Sequence, residues 1–263
     1  MSFSAIACSR SAYSRRVQRA SLAFALATVA GEVLLSSPAA VARAERPQPL
    51  PFVEIVTGGA RAGDELPLII ALHGRGDTAE AFAPLFRDLP VRARVAVLRP
   101  PHAWGGGQAW FIGGWGHADK RAAIAAELLA HADRVAATAE AIRTSRPTRG
   151  KPVVMGFSQG GMLTWAVALK HPRAFAAAFP AAGFLFPEML EQTRVDGPAM
   201  PPIVAFHGGV DPLVSVDEDR RGVRLLEKRG VRVDLRVYPG VQHELPPVLV
   251  NDLFAALSRA LAR

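Results

Sequence analysis

The chain has 263 residues, about half of them hydrophobic and about a fifth charged, which is enough apolar material for one sizeable globular core. Its formal charge of +8 comes from arginines scattered along the chain rather than from a basic stripe, and this distribution argues against nucleic acid as a partner. The single cysteine, Cys8, lies so early that the folded domain is expected to hold no disulfide, no thiolate nucleophile and no cysteine metal ligand.

Residues 1–44 read as a leader that is removed. Arg10, Arg15, Arg16 and Arg19 precede a mostly apolar run from Ser21 to Leu35, and small residues follow it. Ser14-Arg15-Arg16 has the core of a twin-arginine export signal, although Val17-Gln18-Arg19 lacks the usual hydrophobic pair and Glu32 interrupts the apolar run. The expectation is export to the periplasm or medium, or a cytoplasmic protein if the segment is no signal; the rivals are a disordered or mitochondrial-type leader and a single uncleaved anchor, for which the run is short as a membrane span. Residues 45–51 read as a proline-rich tether, and 52–263 as one domain.

Within that domain, apolar runs with β preference alternate with helical patterns. Strands are expected at Phe52–Thr57, Leu66–Leu72, Val95–Arg99, Pro152–Phe157, Ala174–Ala181, Pro202–Phe206 and Val231–Tyr238. Several are apolar on both faces, as strands of a parallel sheet covered on both sides are. Helical spacing runs from Asp119 to about Arg143 and over Gly160–Lys170, Val216–Arg229 and Pro246–Ala262. Alternation over the whole length predicts one α/β domain with a mostly parallel sheet and helices on both faces. Residues 101–118, rich in glycine and tryptophan, read as a long irregular excursion beside the site.

Gly156-Phe157-Ser158-Gln159-Gly160 fits G-x-S-x-G between a buried strand and a helix. The turn there is too tight for side chains beside the serine, so glycines flank it, and Ser158 is presented at a helix N-terminus. A serine hydroxyl needs a base to take its proton and an acid to orient that base. Asp211 follows a strand end, where open α/β sheets build their sites. His243 follows the last strand and is the one histidine after Asp211. Asp196, Asp217 and Asp219 are weaker acids for this role because none directly follows a strand. The bland reading of Asp211 is a turn aspartate before Pro212.

For the remaining histidines structural roles are expected: His73 and His207 shape loops, His171 ends a helix, and His102, His117 and His131 lie in a loop or on a helix face. No pair of them has metal-ligand spacing, so no metal and no cofactor are expected. An oxyanion is expected to be held by the backbone N–H groups of Gln159 and Arg75, the latter in the glycine-rich loop Leu72-His73-Gly74-Arg75-Gly76-Asp77. The Arg75 side chain reads as a solvated loop arginine, the alternative being a contact to an acidic substrate group. Trp104, Trp110, Phe111 and Trp115 are candidate pocket walls, or equally packing for a long loop.

These blocks, together with His207-Gly208-x-x-Asp211-x-x-Val214 and Tyr238-Pro239-Gly240-x-x-His243, resemble the phospholipase/carboxylesterase family of α/β-hydrolases, which includes acyl-protein thioesterases. The likeness covers about residues 66–262. It implies the α/β-hydrolase fold, Ser158, Asp211 and His243 as a catalytic triad, Arg75 and Gln159 as oxyanion donors, and no cofactor. Two departures stand out: Ala182 replaces a serine common in the family before Gly183, and Gly105-Gly106-Gly107 precedes the Trp110-Phe111 pair.

The expected activity is hydrolysis of small-molecule or lipid carboxylic esters through an acyl-enzyme, with thioesterase and lysophospholipase chemistry as close variants. The alternatives are a non-catalytic binding protein on the same fold and a lipid-surface protein held by its leader.

Overall fold

The sequence of Leu68–Leu72 is apolar at every position, so both faces of that strand must be covered. Leu68, Ile70 and Leu72 enter one apolar layer and Ile69 and Ala71 the other, as the two-residue period of a strand requires. The computed structural model describes residues 46–262, and the expected leader lies outside them.

In chain order the elements are β1 (Phe52–Val56), β2 (Leu68–Leu72), α1 (Ala79–Phe82), β3 (Arg94–Leu98), β4 (His102–Trp104), β5 (Gly107–Ala109), α2 (Ala118–Ser145), β6 (Val153–Phe157), α3 (Gln159–Lys170), β7 (Ala177–Ala181), α4 (Pro187–Gln192), β8 (Ile203–Gly208), α5 (Val216–Glu227), β9 (Val233–Tyr238) and α6 (Pro247–Leu261). Seven strands form one sheet in the order β1-β3-β2-β6-β7-β8-β9. β1 pairs antiparallel with β3 at the edge, and every other pairing in the sheet is parallel. Residues of α2, α3 and α5 cover one face, and those of α1 and α6 the other. The parallel strands therefore all end on one edge, where their loops converge.

Two expectations change. The excursion at 101–118 is not wholly irregular: β4 and β5 form a hairpin closed by Gly105 and Gly106, both with positive φ. Paired positive-φ residues give the turn whose twist matches a two-residue hairpin, and glycine adopts them without strain. The strand expected from Ala174 begins at Ala177, because Pro172–Ala174 closes a turn in which the Ala174 N–H donates to the His171 carbonyl.

Part of the expected tether is held down. Leu50 is buried, its N–H donates to Thr138 Oγ1 at 2.7 Å, and Arg134 donates to the Gln48 carbonyl. Among the described residues no helix is long and apolar enough to cross a membrane.

Candidate active site

Ser158 stands between β6 and α3 with φ 56° and ψ −118°, a conformation that L-residues rarely adopt. The flanking glycines explain how the chain reaches it. A Cβ on Gly156 would lie 2.2 Å from the Gly160 carbonyl oxygen, and one on Gly160 would lie 2.0 Å from that of Leu72. Only hydrogen fits at either place. The turn is fixed from β7, where the Ala181 carbonyl accepts the Ser158 N–H at 2.9 Å.

Ser158, His243 and Asp211, far apart in sequence, meet at the carboxyl edge of the sheet. Ser158 Oγ is 2.9 Å from His243 Nε2, and His243 Nδ1 is 2.6 Å from Asp211 Oδ2. Asp211 cannot swing away: its Oδ1 accepts the N–H groups of Leu213 and Val214 at 2.9 and 2.8 Å, and its side chain is fully buried. With Nδ1–H donated to the carboxylate, Nε2 is free to accept the serine proton. The ring also packs against Phe157, with centroids 5.0 Å apart.

The loop after β2 lies directly over the serine, since a Cβ on Gly74 would sit 3.3 Å from Ser158 Cβ. Among the described residues neither the Arg75 nor the Gln159 backbone N–H has an acceptor. The Gln159 side chain has a use that the sequence did not reveal. Its Oε1 accepts the Trp110 N–H at 3.0 Å and its Nε2 donates to the Phe111 carbonyl at 3.1 Å, while Trp110 Nε1 donates to the His73 carbonyl at 2.9 Å. One buried glutamine and one tryptophan thus tie the loops after β2, β5 and β6 into a single unit.

This network revises two expectations. Trp110 and Phe111 have no exposed surface and serve as packing, with the Trp110 N–H, its ring Nε1 and the Phe111 carbonyl all hydrogen-bonded inside the protein; of the four aromatics only Trp104 and Trp115 retain surface. The Arg75 side chain is not a free, solvated arginine. Its guanidinium lies 4.9 Å from the Trp104 ring centroid and 5.4 Å from that of Trp115, and it donates to the Gly113 carbonyl at 2.7 Å. Aromatic faces attract the cation, and partial burial lowers its pKa.

A second pair, missed in the sequence, lies directly behind Asp211. His207 is fully buried at the end of β8, with Nδ1 2.9 Å from Asp219 Oδ2 and Nε2–H donated to the Val214 carbonyl at 2.9 Å. Burial by itself would lower the His207 pKa, but the Asp219 hydrogen bond and charge, the Val214 carbonyl and the Asp211 charge outweigh it and raise it. Burial raises the pKa of Asp219. Val214 therefore gives its N–H to Asp211 and its carbonyl to His207. The one sequence signal was a histidine twelve residues before an aspartate on the buried face of α5, which no motif marks.

A cavity of about 690 Å³, lined by Pro67, Lys151, Ala177, Pro202 and Arg259 among others, opens at the opposite, amino edge of the strands. It holds none of the residues above and plays no part in this site.

A seven-stranded, mostly parallel sheet with a serine on a strained strand-to-helix turn is the α/β-hydrolase fold. The family model described as Phospholipase/Carboxylesterase matches residues 59–260, and the chain belongs to that family. It is 28% identical over 114 residues to acyl-protein thioesterase 1 of Gibberella zeae, a stretch covering 41% of this chain and 48% of that protein. It is 32% identical over 93 residues to a probable inactive carboxylesterase of Oryza sativa subsp. japonica, covering 35% of this chain and 38% of that protein. The chain thus spans about half or less of the length of these curated relatives. Among solved structures, esterase PE8 superposes with a TM-score of 0.67 at 21% identity, covering 81% of this chain and all of that one, a likeness of fold.

Proposed function

We propose that the protein hydrolyses carboxylic esters through an acyl-enzyme intermediate. Ser158 is the nucleophile, His243 takes its proton and passes it to the leaving oxygen, and Asp211 fixes the ring and stabilises the imidazolium that forms. Backbone N–H groups of Gln159 and Arg75 receive the oxyanion, with the amino end of α3 adding favourable dipole. Water then attacks the acyl-serine with His243 again as base. The observation that carries this reading is the unbroken chain Ser158 Oγ, His243, Asp211 at 2.9 and 2.6 Å, on a turn that holds Ser158 at a positive φ.

The test is a panel of p-nitrophenyl esters of increasing acyl length, with matched thioesters, on wild type and Ser158→Ala. Turnover in the wild type that falls by about 10⁴-fold or more in the variant supports the assignment. Equal activity in both sinks it, and a folded but silent wild type supports the binding-protein alternative. We further propose export by the leader, supported by its basic start and apolar run; a mature N-terminus near residue 45 in the exported fraction is the expected result.

A further inference from the structure

Outside the candidate active site, the structure gathers two histidines and a carboxylate that the sequence leaves 29 positions apart at their widest, His102 at the start of β4 and Glu127 and His131 on α2. Glu127 and His131 are four residues apart, so successive turns of the helix aim them the same way. The β4–β5 hairpin lays His102 over them. Its Nε2 is 2.7 Å from Glu127 Oε1, and His131 Nε2 is 3.7 Å from the same oxygen. One ligand atom from each residue lies within 4.8 Å of the others.

His131 is the unusual member. It is 8% exposed, and neither ring nitrogen has a hydrogen-bond partner among the described residues. The Trp110 backbone approaches the ring without reaching hydrogen-bond geometry. A buried imidazole with both nitrogens unpaired carries an uncompensated desolvation cost, and such groups in a native fold call for a partner. His131 stacks edge-on against Trp110 at 6.2 Å and against His102 at 6.1 Å, which fixes the ring on the protein side. On the other side the His102 and Glu127 side chains are about one-third exposed, so the cluster opens to solvent.

We propose that His102, Glu127 and His131 form a divalent transition-metal site of the zinc class, with solvent completing the coordination. Two imidazoles and one carboxylate are ligands that zinc and its neighbours favour, whereas magnesium and calcium take oxygen alone. Ligand atoms about 2.1 Å from a tetrahedral ion lie about 3.4 Å apart. The Glu127 to His131 distance already fits this. The Glu127 to His102 distance must open slightly, and His102 is the partly exposed partner on a hairpin edge, best able to shift. A metal here cross-links the β4–β5 hairpin to α2 directly behind Trp110, which hydrogen-bonds the His73 loop and Gln159. Its role is therefore to hold the loops around Ser158, without entering the chemistry at the serine.

The test uses tag-free full-length protein, stripped with a chelator and dialysed, then titrated with Zn²⁺ by calorimetry and with Co²⁺ by visible absorption. The expected result is one ion per chain, a Co²⁺ spectrum of low-symmetry coordination, and a higher melting temperature with Zn²⁺. Affinity is expected to fall at least about tenfold in His131→Ala and in His102→Ala. His102→Ala changes a partly exposed side chain, so it reports on the ligand set even if the buried variant fails to fold. No binding by the folded wild type overturns the proposal, as does undiminished binding in folded His102→Ala.

Discussion

Two of the histidine–aspartate pairs among the described residues, His243–Asp211 and His207–Asp219, lie a few ångströms apart, and they differ in what each histidine faces. In the pair His243–Asp211 the carboxylate is fully buried, while the ring keeps an edge toward the serine and solvent. In the pair His207–Asp219 both side chains are fully enclosed, and the second nitrogen is spent on the Val214 carbonyl. The chemistry of the groups is the same, but only the first histidine has a nitrogen free to move a proton. The second works as a brace for the loop that aims Asp211, with His207 Nε2 3.6 Å from Asp211 Oδ2. Proton transfer requires an accessible lone pair, whereas positioning requires its absence.

The sharpest way to break this contrast is to remove one member of each pair. His243→Ala is expected to lower kcat for ester hydrolysis by about 10⁴-fold or more while leaving the melting temperature near that of the wild type. Asp219→Ala is expected to do the reverse in emphasis. Leaving a buried histidine without its counter-charge costs about 3–5 kcal/mol, measured by urea unfolding, with a smaller loss of kcat as Asp211 loosens. A kcat loss in Asp219→Ala as large as that in His243→Ala would show that the brace takes part in proton transfer.

The turn that carries Ser158 gives the next effect. Gly160→Ala places a methyl 2.0 Å from the Leu72 carbonyl oxygen, which is backbone and cannot yield, so a loss of at least about 3 kcal/mol is expected in chemical denaturation.

The pH dependence distinguishes the pairs more gently. The folded pKa of His207 is raised, so its protonated form supports the fold. That support is complete below the ordinary imidazole pKa and fades as the pH rises through the raised value. His207→Gln is therefore expected to flatten the alkaline limb of a stability–pH curve; an unchanged slope would mean that the histidine is neutral in the fold. The smallest effect is expected two residues from Asp219. Asp217 makes an exposed contact with Arg220, and Asp217→Ala should change stability by no more than about 0.5 kcal/mol.

Much of the fold was legible in the sequence because a parallel sheet covered on both sides demands runs such as Leu68–Leu72 and Val153–Phe157, and few other structures tolerate them. The β4–β5 hairpin was not. Its strands are three residues long, and its signal is a pair of glycines that read equally well as a loop. The positions of Ser158, Asp211 and His243 were legible because each follows a strand, and loops after parallel strands converge on one edge whatever the details of packing. The Gln159 side chain, the Arg75 cage and the His207–Asp219 brace were not, since each depends on which loops lie side by side.

The sequence by itself determined the alternation of strand and helix, the glycines that a strained serine turn requires, and the chain order of serine, aspartate and histidine. These are local demands of backbone sterics and hydrophobic periodicity, and they are written in consecutive residues. The tertiary structure alone decided that His207 is sealed behind Asp211 with Asp219 as its partner, and that Trp110 is packing. It also decided that His102 meets Glu127 and His131. Those outcomes depend on distances between segments remote in the chain, which are set by how the helices and loops pack on the sheet.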